Sequence, residues 1–136
     1  MAKILIVDDH PVNRYFLTSL LGYDGHELFE AGNGLQALES MKEHHPDLII
    51  LDLYMPGMDG AAFLGSLESE RTYSNIPVII YTASDAECDI QGTAKRFGIT
   101  EVILKPSAPK NILDRVAAVL IDKTENTTTD PSGDPV

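Results

Sequence analysis

The sequence predicts an α/β fold, a doubly wound five-stranded parallel sheet with five helices on its two faces. Three observations carry this. Short apolar runs that end on polar residues alternate with segments of helical apolar spacing. The third run, Leu48-Ile49-Ile50-Leu51, is apolar at every position, as a strand covered by helices on both sides must be. One helical segment separates each strand from the next, so the connections are right-handed crossovers that place helices on both faces.

The first run, Lys3 to Val7, ends on Asp8-Asp9, and Pro11 then suits the first position of a helix, where a missing N–H is no loss. Val12, Tyr15, Phe16 and Leu20 keep helical spacing up to Gly22, at which a left-handed cap is expected. The piece from His26 to Ala31 is polar and alternating, which suits an edge strand. Leu35, Leu38 and Met41 mark a second helix that Pro46 ends. Leu48 to Leu51 closes on Asp52 and belongs at the centre of the sheet. After the turn-rich Met55-Pro56-Gly57-Met58-Asp59-Gly60, a third helix is marked by Phe63, Leu64 and Leu67. Pro77 to Thr82 forms a fourth strand, Ala86 to Phe97 a fourth helix and Glu101 to Leu104 a fifth strand. Ile112, Leu113, Val116, Val119 and Leu120 make a last amphipathic helix.

A chain of 136 residues suits one domain, and 43% hydrophobic with 23% charged residues excludes a wholly disordered or membrane-spanning chain. Ten Lys and Arg against 21 Asp and Glu give a net charge of -11, which repels nucleic acid and anionic lipid alike. Neither nucleic acid nor a membrane is expected as a direct partner. A single cysteine, Cys88, has no partner for an internal disulfide, and the apolar start is too short for a signal peptide, so a cytoplasmic location is expected. The apolar period stops at Ile121. Residues 1–121 are therefore expected to form the domain, and the polar residues 122–136 a disordered tail or the start of a linker.

Open sheets of this kind bind ligands beyond the carboxyl ends of their strands. Asp8 and Asp9 end the first strand, Asp52 the third and Thr82 the fourth, and Lys105 follows the fifth directly before Pro106. Three carboxylates, a hydroxyl and an ammonium thus converge from distant parts of the chain. Crowded carboxylates repel one another unless a cation neutralises them, and hard oxygen donors on a loop suit Mg²⁺.

Asp8-Asp9, Asp52 closing Leu-Ile-Ile-Leu-Asp, the Met55 to Gly60 turn, Thr82-Ala83 and Lys105-Pro106 together resemble the receiver domain of two-component response regulators, in its chemotaxis-regulator-like form. The resemblance covers residues 3–121. It implies a flavodoxin-like sheet in strand order 2-1-3-4-5 and a signalling switch in which Asp52 takes a phosphoryl group from the histidine of a kinase or histidine phosphotransfer protein. Such a domain catalyses only its own phosphorylation and dephosphorylation. Asp9, Asp52 and the main-chain carbonyl of Tyr54 would hold Mg²⁺ or Mn²⁺, with Asp8 acting through water. Lys105 would neutralise charge, Thr82 would turn its hydroxyl to the phosphoryl oxygens, and Pro56, Gly60 and Pro106 would shape the site. An output domain in the same chain is a further implied partner.

The sequence departs from the family pattern at Val102, three residues before the lysine, where many receivers carry a Tyr or Phe that swings inward. Tyr81 does not replace it, because neighbouring strand residues face opposite sides. The resemblance also assigns Tyr54 and Ser84 to the path of the water that would hydrolyse an acyl phosphate. A bulky phenol and a short uncharged hydroxyl should make hydrolysis slow.

Other residues have plainer expectations. His44 and His45 read as a solvated helix end, with His10 and His26 in similar roles, and the acidic residues around Cys88 should keep its thiol inert. Gly32-Asn33-Gly34-Leu35-Gln36-Ala37 fits a dinucleotide fingerprint, but it follows the polar second strand and leaves Asp8, Asp9 and Lys105 idle. A phosphatase of the aspartyl-nucleophile type would want an acid where Tyr54 stands. A phosphorylation-independent interaction module is the remaining alternative.

Overall fold

The structure is a computed structural model and describes residues 2–55, 57–73, 75–83 and 89–128. The order is β1 (Lys3–Val7), α1 (Pro11–Tyr23), β2 (Glu27–Ala31), α2 (Gly34–His44), β3 (Leu48–Leu51), α3 (Gly60–Glu68), β4 (Val78–Ala83), α4 (Ile90–Arg96), β5 (Glu101–Lys105) and α5 (Pro109–Thr128). A short 3-10 turn, Arg71–Tyr73, lies between α3 and β4. All four strand pairings are parallel, and the sheet order is β2-β1-β3-β4-β5.

Alternation along the strands splits the core in two. Leu5, Val7, Ile49, Leu51 and Ile80 face α2, α3 and α4 through Met41, Phe63, Leu64 and Ala94. Ile4, Ile6, Leu48, Ile50, Ile79 and Tyr81 face α1 and α5 through Leu17, Leu21, Ile112 and Val116. Every residue of β3 is buried, which is why its sequence is apolar throughout rather than alternating. Among the described residues no helix is long and apolar enough to cross a membrane.

Three boundaries differ from expectation. Gly22 lies inside α1, and the left-handed glycine is Gly25, at φ 94°, just after the cap residue Asp24. The helix runs one residue past Gly22, to Tyr23, because Gly22 needs no positive φ there. At the other end α5 continues to Thr128, past Ile121. No proline or glycine stands between Pro109 and Pro131, and a helix that loses its apolar stripe has no breaker to end it there. α4 begins at Ile90, where Asp89 accepts from the Gly92 N–H at 2.8 Å. Residues 86–88 of that expected helix, Cys88 among them, lie outside the described residues, as do Ser84 and Pro56.

Candidate functional site

The sheet register makes the site. Val7 pairs with Leu51, so Asp8 and Asp52 leave adjacent strands side by side, and the Asp52 N–H donates to the Val7 carbonyl at 2.9 Å. Thr82 is the fifth residue of β4, and the Ala83 to Lys105 pairing sets the lysine at the same edge. Asp8, Asp52 and Thr82 are 2%, 4% and 0% exposed, which is rare for acids and demands partners.

Those partners are one another. The Thr82 hydroxyl donates to Asp52 Oδ1 at 2.6 Å, and the Tyr54 N–H donates to the same oxygen at 3.0 Å. Lys105 Nζ bridges the two acids, at 3.1 Å from Asp52 Oδ2 and 2.7 Å from Asp8 Oδ2. Burial, the largest single influence on Lys105, favours its neutral form. The hydrogen bonds and charges of Asp8 and Asp52 outweigh it and hold the ammonium above the ordinary lysine range. Lys105 is therefore fully charged at neutral pH. Burial pushes the Tyr81 phenol up, against the pull of Lys105, whose Nζ lies 5.3 Å from the ring centre.

Asp9 completes the cluster differently. Its Oδ1 is buried and accepts no hydrogen bond. One ligand atom from each of Asp8, Asp9, His10 and Asp52 lies within 4.8 Å of the others. A buried, unsatisfied carboxylate oxygen beside two further acids is a donor set that fits a divalent cation with hard-ligand preference.

The loops around these residues are held tightly. Asp59 caps α3 by accepting from the Ala62 N–H at 2.9 Å. Gly60, the first residue of α3, packs on the chain just after Asp52: a Cβ there would stand 2.6 Å from Leu53 Cα and 2.8 Å from the Asp52 carbonyl oxygen. Backbone atoms cannot rotate away, so Gly60→Ala is expected to destabilise the domain by about 2 kcal/mol. Equal urea midpoints for variant and wild type would show that the Asp52 loop yields freely. The Lys105–Pro106 peptide bond is cis. Tyr54 is partly exposed at the rim of the site.

Val102 lies on β5 opposite Ile80 and packs against the core under α3 and α4. Tyr81 packs on the α1 and α5 side, as its strand parity requires. His44 stacks on Phe29 at a ring separation of 3.9 Å, and His45 adopts the left-handed cap of α2, so this pair ends a helix. His26 accepts from the Ala2 N–H at 3.1 Å. Asn33, inside the glycine-rich stretch, caps α2 by accepting from the Gln36 N–H at 2.9 Å.

Two residues at the site have weak or no sequence signal. Arg14 reaches back from α1 to donate to the Asp8 carbonyl at 2.6 Å and to Glu30 at 3.1 Å, tying the end of β1 to β2. Its place one turn after Pro11 is the only hint. His10 belongs to the acidic cluster, unlike the other three histidines. Its imidazole Nδ1 lies 3.0 Å from Asp9 Oδ1 and 3.4 Å from Asp8 Oδ1.

Strand ends that gather a buried acid between a hydroxyl and an ammonium define a phospho-accepting signalling domain rather than a dinucleotide site. Residues 4–117 match the model of the response regulator receiver domain, and the chain belongs to that family, whose function is phosphoryl acceptance. It is 38% identical over 120 residues to protein PilH of Pseudomonas aeruginosa, covering 88% of this chain and 98% of that one. To sporulation initiation phosphotransferase F of Bacillus subtilis it is 39% identical over 118 residues, covering 87% and 93%. It spans about half the length of the probable transcriptional regulator ycf27 of Porphyridium aerugineum. The solved chemotaxis protein CheY4 of Vibrio cholerae superposes with a TM-score of 0.81 at 29% identity, covering 88% of this chain and 98% of that one.

Proposed function

We propose that Asp52 is the phosphoryl acceptor of this receiver domain, and that residues 1–121 suffice for the reaction. The supporting observation is the Asp52 carboxylate itself: buried, with Thr82 and the Tyr54 N–H on one oxygen and Lys105 on the other. Phosphoryl transfer needs alignment and charge neutralisation more than covalent help. An Asp52 oxygen attacks the phosphorus of a phosphohistidine on a kinase or histidine phosphotransfer protein. The new O–P bond forms as the N–P bond breaks, and the imidazole leaves with the electron pair. Lys105 offsets the charge that gathers on the phosphoryl oxygens. The Thr82 hydroxyl, released from Asp52 Oδ1, donates to one of those oxygens. This exchange of acceptor is the proposed switch, with output through the face of α4, β5 and α5, where Val102 moves less than a ring would. The reaction takes place in the cytoplasm.

Asp9, Asp52 and the Tyr54 carbonyl would hold Mg²⁺ or Mn²⁺, with Asp8 assisting through water. When bound, the cation supplies neutralisation of the transferring phosphoryl group. Asp8 already has Lys105 on one oxygen and the His10 N–H at 2.9 Å on the other, whereas Asp9 Oδ1 has nothing. Asp9→Ala is therefore expected to weaken Mg²⁺ binding more than Asp8→Ala does, by about tenfold in a calorimetric titration. Equal losses would contradict the direct role of Asp9.

The acyl phosphate should be long-lived. The Tyr54 phenol stands beside the in-line path of attacking water, and Ser84 brings no charge to orient it. Tyr54→Asn opens that path and adds an amide to position water, for which dephosphorylation about tenfold faster, or about 1.4 kcal/mol of barrier, is expected in Mg²⁺ buffer. Decay as slow as wild type would mean that Tyr54 shields nothing.

A further inference from the structure

His10 is the N-cap of α1, but its side chain makes no capping hydrogen bond. The imidazole instead curls back over the acidic cluster, with Nδ1 3.0 Å from Asp9 Oδ1 and 3.4 Å from Asp8 Oδ1. Asp9 Oδ1 nevertheless accepts no hydrogen bond. A cation there would take both the unpartnered carboxylate oxygen and the imidazole nitrogen beside it. Cis ligands around a cation bound at about 2.1 Å stand about 3.0 Å apart, and trans ligands about 4.2 Å, and the four ligand atoms here lie within 4.8 Å of one another. Little movement would close the set.

We infer that His10 supplies an imidazole nitrogen to the cation held by Asp9 and Asp52, so that this receiver favours Mn²⁺ and similar borderline cations over Mg²⁺ more strongly than an all-oxygen site would. The inference rests on the metal-site reading above and adds a ligand to it. The chemistry is that of ligand softness. Mg²⁺ takes oxygen donors and keeps its water, whereas imidazole suits the later divalent metals. His10 is positioned for this because its N–H bonds to Asp8 Oδ1 at 2.9 Å, fixing the backbone within reach of the acids. Its ring is 66% exposed and can turn onto a bound ion without repacking the core.

Nitrogen coordination has its own spectroscopic signature. Electron spin-echo spectra of the full chain loaded with Mn²⁺ are expected to show modulation from a directly bound imidazole ¹⁴N, and the His10→Gln variant should lose it. Calorimetric titrations with Mn²⁺ and with Mg²⁺ should show the ratio of the two affinities falling by about tenfold in that variant, mainly through Mn²⁺. The exposed ring caps nothing, so the variant is expected to fold, which far-ultraviolet circular dichroism checks. Three results would overturn the inference alone: Mn²⁺ bound without nitrogen modulation, modulation that survives in His10→Gln, or an unchanged affinity ratio. Failure of the wild type to bind either cation would overturn the metal-site reading with it.

Discussion

Asp52→Asn is expected to gain no phosphoryl mass when incubated with acetyl phosphate and Mg²⁺ under conditions that modify the wild type fully. The amide is nearly isosteric and can keep the Thr82 and Tyr54 contacts through its oxygen, so the fold should survive. What it lacks is the anionic oxygen that attacks phosphorus. It also removes one of the two charges that Lys105 bridges, leaving the shorter contact to Asp8 at 2.7 Å. Intact-protein mass spectrometry reads the result directly, and a variant that gains the phosphoryl mass at the wild-type rate would relocate the acceptor.

Lys105→Met is expected to have the second largest effect, and on two properties at once. Uptake of the phosphoryl group should slow by about a hundredfold, the scale on which removal of one preorganised charge-stabilising donor acts. Without divalent cation the variant should also be less stable by about 3 kcal/mol, because Asp8 and Asp52 would remain buried with no cation between them. Burial of the ammonium is itself costly, but its two carboxylate partners outweigh that cost in the wild type. Mg²⁺ at the proposed site should recover part of the lost stability. Urea unfolding with and without Mg²⁺ separates these terms. A midpoint unchanged in metal-free buffer would mean that the bridge contributes no net stability.

The fold was legible because each strand is announced twice, by an apolar run and by the polar residue that ends it. Asp8, Asp52, Thr82 and Lys105 could be read as one site before any contact was known, since a parallel sheet brings the carboxyl ends of its strands to one edge. Local choices were less legible. Gly22 and Gly25 lie within one turn, and spacing alone does not say which takes the positive φ. Loss of the apolar period at Ile121 does not mark where α5 stops, because helix continuity there depends on the lack of a breaker. His10 shares its residue type with three histidines that end a helix, stack on a ring or accept a main-chain hydrogen bond, and only the turn of its side chain over Asp9 distinguishes it. Arg14 has little signal beyond its place one turn after Pro11, because its partner at the end of β1 is a main-chain carbonyl, which any sequence supplies.

The central claim is that Asp52, at the end of the fully buried strand β3, accepts the phosphoryl group. Borohydride reduction of the phosphorylated wild type converts an aspartyl phosphate to homoserine, which peptide mass mapping then locates. Homoserine at position 52 alone is the expected result. Homoserine at position 8 or 9, or a phosphoryl group that resists borohydride and maps to a histidine, would contradict it.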